Sequence, residues 1–195
     1  TAFRAGDLDG AVRLVQSLLR EAPSNFDARV LYAELLVFTG ELDRADKALA
    51  AITQIETSSP RAAGAISFRR RLLRAEAWRQ QWYLEGRVPT LLRAPSPLVE
   101  ALLRANVVMR EGDSGGAATA IEVVDRLRSR PAGSCDDAPI SDWRDLDDRC
   151  AGVFECFTAS GEYCWIELDE IAAISFTRPE LMADLLWRPA EVRTR

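Results

Sequence analysis

Histidine is missing from all 195 residues of the chain. Its absence removes the commonest general base near neutral pH and the usual partner of a nucleophilic serine or cysteine. It also leaves the four cysteines, at positions 135, 150, 156 and 164, without an imidazole to complete a zinc site. None of them is spaced as a Cys-x-x-Cys pair, so neither a metal nor a cofactor is expected. Neither common glycine-rich phosphate loop is present. No apolar run approaches the roughly 18 residues that a membrane span requires. The start shows no basic stretch followed by an apolar one, so no secretion signal is expected, although the chain opens at Thr1 already inside a repeat pattern. With 25 basic against 30 acidic side chains the formal charge is −5, which argues against general affinity for nucleic-acid phosphates or anionic membranes.

What is present is an ordinary globular composition, 48% hydrophobic and 28% charged, able to bury a core in one large domain or two small ones. Repeats organise its first two thirds. The segment GDLDGA (Gly6 to Ala11) returns 34 residues later as GELDRA (Gly40 to Ala45), and more loosely as GDSGGA (Gly112 to Ala117). After the first copy come Ala11, Val15, Leu18 and Pro23; after the second, Ala45, Leu49, Ile52 and Pro60; after the third, Ile121, Val124, Leu127 and Pro131. This is the grammar of a tetratricopeptide repeat. Glycine allows a sharp turn between antiparallel helices, a small residue lets them approach, and apolar positions three and four apart make the buried stripe. A hairpin cannot cover that stripe alone, so hairpins stack.

Asn25 to Gly40 is expected to form the helix before the second copy. Pro60 to Gly86 reads as one long helix with Ile66, Leu72, Leu73, Trp78 and Trp82 among Arg69, Arg70, Arg71, Arg74 and Arg79. Its arginines are expected to form a solvated face paired with Glu76 and other carboxylates. Val88 to Pro97, with three prolines, is a connector, and helical periodicity resumes from Leu98 to Arg110.

Beyond Pro131 the pattern changes. Ala132 to Asp148 reads as an acidic loop holding Asp136, Asp137, Asp142, Asp145, Asp147 and Asp148. It lacks the glycine and the terminal glutamate of a calcium loop, so its aspartates are expected to cap the loop, with Asp147 either paired to Arg149 or capping a turn. Gly152 to Thr158 and Glu162 to Leu168, joined by Ala159-Ser160-Gly161, predict a β-hairpin, with Cys156 and Cys164 facing one another. Ile171 to Thr177 predicts a third strand and Leu185 to Trp187 a fourth. The aromatic side chains Trp143, Phe154, Tyr163, Trp165, Phe176 and Trp187 are expected to form this module's core, and the cysteines to be reduced thiols within it. The expected fold is therefore α+β and mainly α: a tetratricopeptide-like helical repeat domain over 1–131, then a small β-rich C-terminal module over 132–195.

These residues resemble the ImpE/TagJ family of bacterial type VI secretion accessory proteins along nearly the whole chain. The resemblance rests on the GDLDGA opening, on Arg74, Glu76, Arg79 and Gly86, and on DWRDLDDR (Asp142 to Arg149) with Asp145, Asp147 and Arg149. It continues through Val153, Glu155, Gly161, Tyr163, Trp165 and Ile171 to DLLWRPA (Asp184 to Ala190), which includes Trp187. Ala151-Gly152 and Glu167 depart from the family's Gly-Pro step and proline. The resemblance implies a cytoplasmic, non-enzymatic adaptor. Its partner would be the N-terminal helix of the contractile sheath's small subunit, with an indirect link to the ClpV unfoldase. On the helix before Gly40, the groove-facing candidates are Asp27, Val30, Glu34, Val37 and Phe38. The alternatives are an assembly subunit that self-associates or docks on a baseplate component, and an enzyme using the acidic loop.

Overall fold

The helices starting at Leu8, Phe26, Pro97 and Ser114 each begin where the sequence supplies a side-chain cap. The computed structural model describes residues 2–55 and 60–195. Helix α1 (Leu8–Glu21) starts at Asp7, whose carboxylate accepts from the Gly10 N–H at 2.8 Å. Helix α2 (Phe26–Phe38) starts at Asn25, which accepts from Ala28 N–H at 3.0 Å. Helix α3 (Leu42–Ile55) follows the turn at Gly40, and helix α4 (Pro60–Glu85) opens on proline, whose missing N–H costs nothing in a first turn. After the short strand β1 (Thr90–Leu91), helix α5 (Pro97–Arg110) is capped by Ser96 and helix α6 (Ser114–Leu127) by Asp113.

The remaining strands are β2 (Gly133–Cys135), β3 (Ala138–Ile140), β4 (Val153–Phe157), β5 (Tyr163–Glu167), β6 (Ile171–Phe176) and β7 (Ala190–Thr194). Among the described residues they form three sheets, ordered β1-β5-β4, β2-β3 and β6-β7. β1 runs parallel to β5, whereas β4 and β5 form the expected antiparallel hairpin with Cys156 opposite Cys164. The chain is thus mainly α, with tetratricopeptide-like hairpins ahead of a small β-containing module.

Two compact units result, one of Thr1–Arg74 with Thr177–Pro189, the other of Ala75–Phe176 with Ala190–Arg195. The expected break at 131/132 coincides with neither boundary, because the third hairpin shares its core with the sheet. Leu98, Leu102 and Ala105 of α5 and Val124 of α6 pack with Val153, Tyr163 and Trp165, and with Trp82 from the end of α4. Gly152 admits this approach: a Cβ there would lie 2.6 Å from Leu98 Cδ2. The opposite face of β5 (Cys164 and Ile166) packs with Leu168 and Ile171, and with Trp143, Phe154, Ile174 and Val192 at its margin. In the other unit, Ala33 and Leu36 of α2, Ala45, Leu49 and Ile52 of α3 and Ile66 and Leu73 of α4 form one core. Ala11 and Val15 of α1 with Ala28 and Leu35 of α2 form another.

Three local expectations are corrected. Ala132 to Asp148 is not wholly loop: Asp136 and Asp137, at φ 47° and 66°, make the two-residue turn of the β2–β3 hairpin. Both central residues of such a turn need positive φ, which aspartate tolerates. Leu185 to Trp187 is not a strand. Met182–Leu185 is a 3₁₀ turn held by Asp184, whose carboxylate accepts from the N–H groups of Glu180 and Leu181 at 2.9 Å each. The fourth strand is β7 instead, antiparallel to β6. The aromatic set does not share one core, for Tyr163 and Trp165 face α5, Trp143 and Phe154 lie on the opposite side, Trp187 packs among α2–α4 and Phe176 is exposed.

Gly40 sits at φ 77° with open space where a Cβ would stand, so replacing it carries a purely conformational penalty. Gly40→Ala is expected to lower unfolding free energy by about 1–2 kcal/mol, read as a lower urea midpoint with an unchanged slope.

Candidate functional site

Helix α2 brings the candidate contact residues to one side of the first unit and then uses most of them internally. Asp27 is exposed in the first turn. Val30 and Val37 pack against the α2–α3–α4 core. Glu34 forms an ion pair with Arg69 of α4, Nε to Oε1 at 3.1 Å. The Phe38 ring stands edge-on to Phe3 with centroids 5.4 Å apart. Glu34, Val37 and Phe38 line an apolar recess floored by Ala33, Leu49 and Leu73 and closed by Ala183, Leu186 and Trp187. The free volume is about 20 Å³, room for roughly one water. The last three side chains come from a stretch absent from the sequence-derived groove. Trp187 is expected from the sequence in a fourth strand and in the aromatic core of the β-module, and its aromatic character carries no information about which core receives it.

Three of the α4 arginines named from the sequence, Arg69, Arg70 and Arg79, pair with carboxylates. Arg70 holds Asp46 through Nε and NH2 at 2.6 and 2.8 Å, and Arg79 holds Glu76 at 2.9 and 3.0 Å. The Arg70 guanidinium keeps the Asp46 carboxyl below the ordinary carboxylate range.

Most of the signature residues of the second unit converge on one polar–aromatic network. Glu155 on β4 accepts hydrogen bonds from Tyr163 Oη and from Tyr83 Oη, the latter 3.1 Å from both carboxylate oxygens. Trp165 Nε1 donates to Tyr163 Oη at 2.7 Å, and its ring meets Trp82 edge-on at 4.7 Å. The Arg149 guanidinium lies 4.3 Å from the Tyr83 ring centroid while its nitrogens hold Asp147. Asp147 also accepts from the Arg149 N–H at 3.0 Å, and Asp145 accepts from the Asp147 N–H at 2.7 Å, so these aspartates shape the turn as expected. Burial pushes the Tyr163 and Tyr83 phenols well up, which makes both permanent donors to Glu155. Sequence reading missed Tyr83, although its place beside Trp82 near the end of α4 was a usable signal.

Arg128, almost buried, holds Asp142 at 2.6 and 2.8 Å and Asp125 at 2.8 Å. An open cleft of about 430 Å³ beside α6 is lined by Glu122, Asp125, Arg126, Arg144 and Asp148, with Arg144 paired to Asp148. Among the described residues no group of three or more His, Cys, Asp or Glu side chains could hold a metal ion, and no helix is long and apolar enough to cross a membrane.

Two outcomes follow from the network. Tyr163→Phe removes the acceptor of Trp165 Nε1 and a donor to Glu155, and is expected to cost about 1–3 kcal/mol in urea unfolding. The hydrogen bonds from Arg149 hold Asp147 below its ordinary value. Its folded pKa is therefore lower than its unfolded one. The pair's stabilisation is complete above pH ~4 and is lost as pH falls through the folded value. Arg149→Met should accordingly shrink the loss of stability between about pH 4 and pH 2. Thiol labelling offers a separate check: exposed Cys135 should react first, and Cys150, buried with its thiol pushed up by that burial, last.

Comparison with known proteins agrees with this anatomy. Residues 137–195 match the family model described as ImpE protein, and residues 2–67 match one described as a tetratricopeptide repeat. The chain is 29% identical over 192 residues, 97% of its length, to the type VI secretion system accessory component TagJ of Pseudomonas aeruginosa, and spans 66% of that protein. A crystal structure of protein VPA1032 from Vibrio parahaemolyticus has the same fold, with a TM-score of 0.91 over 99% of this chain and 71% of that one, at 24% identity. With its repeat hairpins in front and a segment matching the ImpE model behind, the chain is similar to TagJ along nearly its whole length.

Proposed function

We propose that this protein is a non-enzymatic adaptor of type VI secretion that captures a helix or peptide of a sheath component. The supporting observation is the likeness to TagJ, a type VI secretion accessory component, along 97% of the chain. Physical chemistry supports the adaptor class. Tetratricopeptide-like hairpins present a face of apolar and charged side chains suited to a helix or an extended segment. Glu155, Asp147, Arg149, Arg128 and Asp142 of the second unit are tied into ion pairs and hydrogen bonds that stabilise the fold, and burial pushes the Tyr83 and Tyr163 phenols up. The partner is the N-terminal helix of the small sheath subunit, through which the protein acts in the cytoplasm on sheath handling by the ClpV unfoldase. Its contacts lie on α2, at Asp27, Val30, Glu34, Val37 and Phe38.

Titration of the full chain with a synthetic peptide of that sheath helix tests this reading. Saturable binding at micromolar concentration or tighter is expected, absent with a scrambled peptide, and Phe38→Ala should weaken it by roughly fivefold or more. Absence of binding up to about 1 mM, a free energy of only about 4 kcal/mol, would contradict it and favour an assembly subunit that self-associates.

A further inference from the structure

The recess on α2 is covered by a segment from elsewhere in the chain. Thr177–Pro189 leaves the β-module after β6, joins the first unit, and the chain returns to pair β7 with β6. Its shape is maintained by its own hydrogen bonds. Besides the Asp184 contacts, Leu186 and Trp187 N–H both donate to Ala183 O, at 3.0 and 2.9 Å. Thr177 and Pro189 close the base, with Thr177 N–H donating to Pro189 O at 2.9 Å and Arg188 Nε to Thr177 O at 3.0 Å. The segment meets the helices through apolar side chains. Met182 packs on the α1–α2 core and Trp187 on the α2–α3–α4 core, so it crosses α2 from one hairpin to the next. Leu181, Leu185 and Leu186 remain 54%, 61% and 42% exposed.

This is how a peptide ligand sits on a helical-repeat face: a self-contained turn, one aromatic anchor, and an outer side left in water. A purely structural stitch would be expected to bury those leucines too. We propose that the recess is a peptide-binding site and that Thr177–Pro189 is its built-in occupant, displaced by an incoming segment of the same chemistry. That segment is a short helix or turn presenting an aromatic or leucine anchor to Val37, Phe38 and Leu73. A segment tethered at both ends acts at an effective concentration on the order of millimolar, so even a weak internal fit suppresses binding from outside. The apparent affinity for an external peptide falls by the fraction of molecules in which the recess is open. The proposal rests on the adaptor reading only for the identity of the outside peptide.

The first arm of the test does not need the sheath. A fluorescent synthetic peptide of residues 177–189 is titrated against the full chain, against Trp187→Ala and against Leu186→Ala, with circular dichroism and urea transitions checking that each folds. Saturable binding to Trp187→Ala, at least roughly tenfold tighter than to the unmodified chain, is the expected result. Equal binding to both, or none to the folded variant, would overturn the proposal; if Trp187→Ala does not fold, Leu186→Ala decides by the same criterion with a smaller difference. The second arm repeats the titration with the sheath-helix peptide. Tighter binding to Trp187→Ala supports displacement. Unchanged or weaker binding makes the segment a bystander or a wall of the site and overturns it. If the sheath peptide binds neither protein while the 177–189 peptide binds the variant, the sheath assignment fails and the occupied recess stands.

Discussion

A helical hairpin leaves an apolar stripe that it cannot cover, and this chain's architecture follows from the ways in which that stripe is covered. The third hairpin, α5–α6, buries its stripe against β4 and β5, with Trp82 filling the joint beside Trp165. The second hairpin, α2–α3, buries most of its stripe against the first half of α4 and the remainder under Trp187. Helix α4 serves both cores because its apolar residues continue past Leu73 to Trp82, so one 26-residue helix contributes to two compact units.

The same constraint explains the concentration of charge-assisted contacts. A core assembled from helices and short strands buries polar groups at its seams, where an unpaired donor or acceptor costs about 1–3 kcal/mol. Glu155 at the Tyr83–Tyr163 seam, Arg128 between Asp125 and Asp142, and Arg69 beside Glu34 each answer such a group. A carboxylate held by two phenols (Glu155) and an arginine held by two carboxylates (Arg128) are arrangements that stabilise such a seam.

Much of this was legible in the sequence because it is local. The 34-residue return of a glycine, a leucine and an alanine locates the hairpins; the proline at 60 and the glycine at 86 bracket α4; a three-residue loop ending in glycine fixes the β4–β5 register; and Asp147 lies within reach of Arg149. What escaped was tertiary. Nothing local says that α5–α6 packs on the sheet, or that the two compact units divide within α4. Leu185-Leu186-Trp187 has strand-like residues, but an aspartate that closes a turn and a distant apolar core decide its conformation. The periodicity of α2 could not reveal that Glu34 answers Arg69 or that a segment some 150 residues away lies over Val37 and Phe38.

Hydrogen exchange of the full chain with and without the sheath-helix peptide tests the central claim most directly. The account predicts slower exchange in Phe26–Phe38 and in the first half of α4, together with faster exchange in Thr177–Pro189 as that segment is released. Protection confined to the β-module, with residues 177–189 unchanged, would contradict it.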